Sequence, residues 1–266
     1  HEHDADRWLR GGVPVNYHLL ADFRVGHPTA VDDLLTQIVG SLLYVGEVTL
    51  ATVAQDGLRV RASAGAASFR RKETLETCLA EAEAQLARLA DEREHPDPHI
   101  TKRQRAARER AARERVERVT SALAVLPQLQ AAKERQQRTL ATGKRERVTA
   151  PRVSTTDPEA RVMKMPDGGF RPAYNVELAT IKAAPPLHGV IGGTAVTNAG
   201  TDAGQAVPMV QQLEQRTGEH PGDYLLDGGF AAREAITTLE RRQVTVYAPV
   251  RLPRNQPEAA RYQPRQ

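Results

Sequence analysis

The sequence predicts an α/β protein. A mixed β-sheet flanked by helices carries a long antiparallel helical hairpin as an insert and a small helical region at its N-terminus. Three observations predict it. Residues 29–45 repeat apolar side chains with a helical period. Residues 70–145 are long, charged and almost free of glycine, with apolar residues spaced as in a coiled coil. Between 151 and 250 glycine returns and the apolar period falls to two before strands and helices begin to alternate.

In the first region, Val31, Leu34, Leu35, Ile38, Val39, Leu42 and Leu43 follow the i, i+3, i+4, i+7 rule of an amphipathic helix. Asp32 and Asp33 are expected in its first turn, where the helix dipole favours them, and Gly46 is expected to end it. The preceding RWLRGGVPVNYHLLADFRV mixes apolar and basic residues around a Gly-Gly-Val-Pro break and reads as the end of a small helical domain. From Val48 to Ala62, VTLATVAQDGLRVRA is rich in β-branched residues. It reads as a strand, a turn at Asp56-Gly57 and a short second strand.

The helical hairpin follows. Leu75, Leu79, Ala82, Leu86 and Leu89 form one apolar seam, and Val116, Val119, Leu123 and Leu126 a second. The prolines of HPDPH at 95–99 cannot be helical, so the chain is expected to turn there, and Pro127 to end or kink the second arm. The Arg-rich run from Lys102 to Arg118 reads as a solvated face with i, i+4 ion pairs, or as a surface that touches a DNA backbone.

Beyond it, RVMKM, the turn PDGG and FRPAYNVELAT read as a β-hairpin. HGVIGGTAVTNAG reads as a third strand, DAGQAVPMVQQLEQRTG as a helix, DYLLD as a strand, AAREAITTLERRQ as a helix and VTVYAPV as a strand. Hairpins first and a crossover unit last make a mixed sheet. The expected organisation is a helical N-terminal region at 1–47, a discontinuous core at 48–69 and 151–250, the hairpin at 70–150 and a proline-rich tail at 251–266.

Composition narrows the function classes. With 40% apolar and 26% charged residues, the chain has the make-up of a soluble globular protein. A single cysteine, Cys78, excludes a disulfide framework and a cysteine zinc site, and makes a reducing cytoplasm the expected setting. A net charge of +4 favours an anionic partner.

The tetrapeptide DGGF occurs at 167–170 and again at 227–230. Asp167 follows a proline between two alternating strands, which is turn chemistry. Asp227 ends a strand that feeds a helix, where ligands of such sheets gather. There it suits either capping of the next helix or chemistry. Asp56 also ends an apolar run before a glycine. Two carboxylates brought together repel unless a cation joins them. A divalent pair about 3.5–4 Å apart does so and supports in-line attack at phosphorus. Carboxylate oxygens suit Mg2+ or Mn2+. Asp157 before Pro158 reads as a turn residue, Asp202 as a helix cap, and His188 as a surface residue. Arg59 and Arg61 suit a phosphate contact or a solvated face.

Taken together, VAQDGLRVRASAGAASFRRKETLETCLAEA, TTDPEARVMKMPDGGFRPAYNVELAT, TNAGTDAGQAVPMV and LLDGGF resemble the bacterial insertion-sequence DDE transposases, over about residues 7–250. The upstream RWLRGGVPVNYHLLADFRV resembles their helical N-terminal region. The resemblance implies an RNase H-like core in which three acids hold two Mg2+ (or Mn2+) ions for cleavage and strand transfer on double-stranded DNA. It also implies a homodimer or higher oligomer on that DNA. By position Asp56 matches the first acid and Asp227 the second. The third, a glutamate on a later helix, has no match. Glu234 and Glu240 fall on the crossover helix, Glu258 lies among prolines, and after Tyr262 and Arg265 the expected acid falls past Gln266. The chain therefore reads as a truncated copy with weak activity. The alternative from another class is a noncatalytic DNA-binding or coiled-coil remnant.

Overall fold

A computed structural model describes residues 4–14, 16–94, 100–139, 150–185 and 188–249. The chain is mixed α/β. Three helices come first, α1 Asp4–Leu9, α2 Tyr17–Gly26 and α3 Pro28–Tyr44. Strand β1 (Val48–Arg61), a 3-10 turn at Ala66–Ser68 and β2 (Phe69–Arg70) lead into the long helices α4 (Lys72–Glu94) and α5 (Lys102–Thr139). Then come β3 (Val153–Ser154), β4 (Arg161–Lys164), β5 (Phe170–Ala183), β6 (Gly189–Thr197), α6 (Ala206–Thr217), β7 (Asp223–Leu226), α7 (Arg233–Glu240) and β8 (Thr245–Tyr247).

The chain forms two compact units, residues 1–56, 177–195 and 203–266 in one and 57–176 and 196–202 in the other. In the first unit the strand order is β6-β5-β1-β7-β8, with β1, β7 and β8 parallel. Its core joins Val48, Leu50 and Val53 of β1, Ile181 of β5, Met209 and Leu213 of α6, Tyr224 of β7, Phe230, and Leu239 of α7. Leu35, Leu42 and Leu43 of α3 pack against that cluster, as the helical period of this segment predicts. Asp32 reaches Arg216 of α6 at 2.7 Å, and Arg216 is only 3% exposed. The helix begins at Pro28, so Asp32 and Asp33 lie past its first turn, not within it. Gly46 sits just beyond the helix with φ +78, the conformation a glycine adopts there without strain. Helix α2 buries no residue and leaves Tyr17, Leu20 and Phe23 exposed.

In the second unit, Leu75 of α4 packs with Val119, Ala122 and Leu126 of α5 and with Val153 of β3. Glu81 pairs with Arg115 at 3.4 Å further along the two helices. β4 and β5 form the expected antiparallel hairpin, with Lys164 opposite Phe170. β2 pairs with β3, two short strands absent from the sequence reading.

The turn expected at Asp56-Gly57 is corrected, and of the two effects expected at Pro127 the helix end is corrected too. β1 runs through Asp56-Gly57 without a turn. The local turn signal loses to pairing: β1 lies between β5 and β7, and the N–H of Ala62 donates to the Pro172 carbonyl just past its end. Pro127 does not end α5, which continues to Thr139. The proline is exposed, so water can reach the carbonyl its ring leaves unbonded. The HPDPH segment and the 251–266 tail lie outside the described residues. No described helix is long and apolar enough to cross a membrane.

Candidate active site

Strands β1 and β7 are neighbours and parallel, paired Thr52 with Asp223, Val53 with Tyr224, Ala54 with Leu225 and Gln55 with Leu226. The next step on each strand is Asp56 and Asp227. Residues 171 positions apart in the chain (227 − 56), one within β1 and the other just past the end of β7, therefore stand at the same level of adjacent strands. Neighbouring strands lie about 4.8 Å apart. Val53, Gln55, Tyr224 and Leu226 are buried, while Ala54, Asp56, Leu225 and Asp227 are exposed. Facing pairs of a parallel ladder share a face, so the alternation carries Asp56 and Asp227 together onto the open side of the sheet.

The structure also resolves how Asp227 serves its loop. Its Oδ1 accepts the backbone N–H groups of Gly229 at 2.6 Å and Phe230 at 3.3 Å, which is an Asx turn. Phe230 anchors the turn in the core at 0% exposure. Asp227 is not the cap of the next helix, since α7 has Ala232 at its N-cap with no side-chain bond. The turn engages one carboxylate oxygen. Oδ2 has no hydrogen-bond partner among the described residues.

Directly behind the two acids runs a polar chain that sequence reasoning missed. The Tyr224 hydroxyl donates to Gln55 Oε1 at 2.6 Å, and Gln55 Nε2 donates to Glu177 Oε2 at 3.2 Å. Gln55 Nε2 also approaches the Gln205 carbonyl at 3.4 Å. Gln55 is 3% exposed and Tyr224 and Glu177 are fully buried. Burial pushes the Tyr224 hydroxyl well above the usual phenol range, and the nearby Glu177 adds to the effect. The tyrosine therefore acts as a fixed donor, which orients the Gln55 amide. The chain ties β7 to β1 and β1 to β5, with Gln55 one residue before Asp56 and Tyr224 three residues before Asp227. The only sequence signal was polar residues, Gln55 and Glu177, inside apolar strands.

The remaining candidates have structural partners. Asp157 accepts the Tyr174 hydroxyl at 2.6 Å and the Ala160 N–H at 3.2 Å, so it holds a turn as expected. Asp202 is not a cap. It pairs with Arg59 at 3.0 Å and accepts from Asn175 at 2.7 Å, while α6 begins after Gln205. This pairing engages the Arg59 guanidinium inside its own unit. His188 is exposed, with φ 57. Glu234 and Glu240 lie exposed at the two ends of α7. Glu258, Tyr262 and Arg265 lie outside the described residues. Among the described residues no group of three His, Cys, Asp or Glu side chains is placed to hold a metal ion. Carboxylate oxygens such as those of Asp56 and Asp227 are the donor type that a hard cation takes. Comparison with protein-family models, with curated proteins and with solved structures finds no match.

Proposed function

We propose that the chain is a DDE-type transposase with an RNase H-like core, acting on double-stranded DNA at the ends of an insertion sequence. The observation that carries this reading is the register of β1 and β7, which brings Asp56 and Asp227 level on one open face. The strand order β6-β5-β1-β7-β8, with a parallel crossover through α7, also supports it. The α4 and α5 pair follows the first acid, where the coiled-coil spacing of the sequence predicts a helical hairpin.

Asp56 and Asp227 would be the ligands of Mg2+ or Mn2+. The bound ion would supply charge neutralisation at phosphorus and activation of water or a 3′-hydroxyl. The chain's own residues set the stage for it. The Asx turn fixes Asp227 so that Oδ2 remains for a cation. The Tyr224–Gln55–Glu177 chain keeps the two strands from slipping. A slip of one residue would turn one carboxylate to the opposite face.

The test is Mn2+ binding, followed by calorimetry or by the loss of the free-ion electron spin resonance signal. Asp56→Asn and Asp227→Asn should each weaken binding by about tenfold or more. Both keep side-chain volume, and the asparagine at 227 keeps an acceptor for its turn. The second reading, a noncatalytic DNA-binding protein, is favoured by the lack of a third carboxylate among the described residues. Unchanged Mn2+ affinity in both variants would select it. On the leading reading, cleavage of cognate ends with Mg2+ by this chain is slow, and brisk cleavage would show that two acids suffice.

A further inference from the structure

The two DGGF copies share an aspartate that accepts the N–H of the second glycine, and use their phenylalanine in opposite ways. Asp167 Oδ1 accepts the Gly169 N–H at 3.0 Å, as Asp227 does with Gly229. Yet Phe230 is 0% exposed and Phe170 is 69% exposed. Phe170 opens β5 beside a cleft of about 350 Å3. Arg61 and Arg171 line the same cleft, and Ala64, Gly65 and Ala66 offer small side chains along it. Arg171 Nη1 meets Asp167 Oδ2 at 2.5 Å. Arg61 makes no ion pair among the described residues. The cleft thus carries two guanidiniums against one carboxylate. The Asp167 carboxyl is held below the usual carboxylate range, first by the Arg171 hydrogen bond and then by the Gly169 N–H, with Arg61 adding to the effect.

We propose that this cleft binds an unpaired DNA nucleotide, with the base stacked on Phe170 and the phosphate held by Arg61 and Arg171. An exposed phenyl ring is a stacking face that any base can use. Planar guanidiniums grip phosphate oxygens in pairs. The volume lies in the range of small-ligand sites, and a lining without bulky side chains leaves room for a flat ring. The choice of DNA rests on the function proposed above. The nucleotide chemistry itself comes from Arg61, Phe170 and Arg171.

Fluorescence anisotropy with a short labelled oligothymidylate tests it. Stacking contributes about 1–3 kcal/mol per base, so Phe170→Ala should weaken binding about 5- to 150-fold. Phe170 is exposed, so that variant should keep its circular dichroism spectrum and melting temperature. Asp167→Asn keeps the turn acceptor but removes the competing charge, and should tighten binding. In a Trp8→Phe background, Phe170→Trp should keep affinity, and its indole fluorescence should be quenched on binding. Affinity within twofold of the parent for Phe170→Ala, or no quenching in Phe170→Trp, overturns the proposal and leaves the transposase reading intact. Failure of the parent protein to bind either the oligonucleotide or duplex DNA overturns both.

Discussion

Tyr224 shows what one hydroxyl does in this sheet. Replacing it with phenylalanine keeps the ring in the core but leaves Gln55 Oε1 buried without its donor. A buried acceptor without a partner costs about 1–3 kcal/mol, which a urea titration of Tyr224→Phe should read as a lower midpoint. The pH dependence has a defined sign. Tyr224 and Tyr174 both have hydroxyls pushed above the usual phenol value, by burial first. For Tyr224 the charge of Glu177 follows as a cause, and for Tyr174 the hydrogen bond to Asp157. Their neutral forms are favoured in the fold, so their stabilisation is complete below the unfolded phenol value of about 10 and is lost as pH rises above it. Urea midpoints should therefore fall above pH ~10, and less steeply in Tyr224→Phe and Tyr174→Phe. A parent profile flat beyond that pH would contradict the assignment.

Among the elements, β6 and α6 approach closely at Gly193. A Cβ on Gly193 would lie 2.6 Å from Met209 Sδ and 3.1 Å from Gln212 Oε1. Gln212 is already committed, accepting the Thr194 N–H and donating to the Thr194 carbonyl, both at 2.9 Å. Gly193→Ala must push Met209 and strain that pair, so it should cost about 1–3 kcal/mol in thermal or urea unfolding. A neutral result would show that the thioether moves aside freely. The glycines of β6 could be read as strand residues from the sequence, but the close approach could not, because it depends on which helix lands there. The same limit explains the misread turn. Asp56-Gly57 is a turn in local chemistry, and only the long-range pairing of β1 makes it extended. The β7 strand was legible as a short apolar run, Tyr224 to Leu226, between aspartates, and α7 by the helical spacing of Ala235, Ile236 and Leu239. Asp56 and Asp227 could be picked out as acids ending apolar runs. Their common level could not, since strand register is set by long-range pairing.

Across the whole chain the charge of +4 is unevenly distributed, and α5 shows where part of the excess lies. Between residues 113 and 118 the arginines are matched: Arg113 with Glu109, Arg118 with Glu114, and Arg115 with Glu81 of α4. Lys102, Arg103, Arg105, Arg108 and Arg110 have no such partner among the described residues. Three of these five, Lys102, Arg103 and Arg105, crowd the helix N-terminus, where the dipole disfavours cations. Local electrostatics gives no reason for that placement, whereas a polyanion does. On the transposase reading this end of α5 is a place where duplex phosphates can be neutralised. Each phosphate contact contributes about −0.9 to the slope of log K against log salt. Changing Arg103, Arg108 and Arg110 together to glutamine should flatten that slope by up to ~2.7 for mixed-sequence duplex DNA. It should leave Mn2+ binding at Asp56 and Asp227 unchanged, because these arginines lie outside the unit that holds the acids. An unaltered slope would remove α5 from the DNA interface and return its basic end to an ordinary solvated surface.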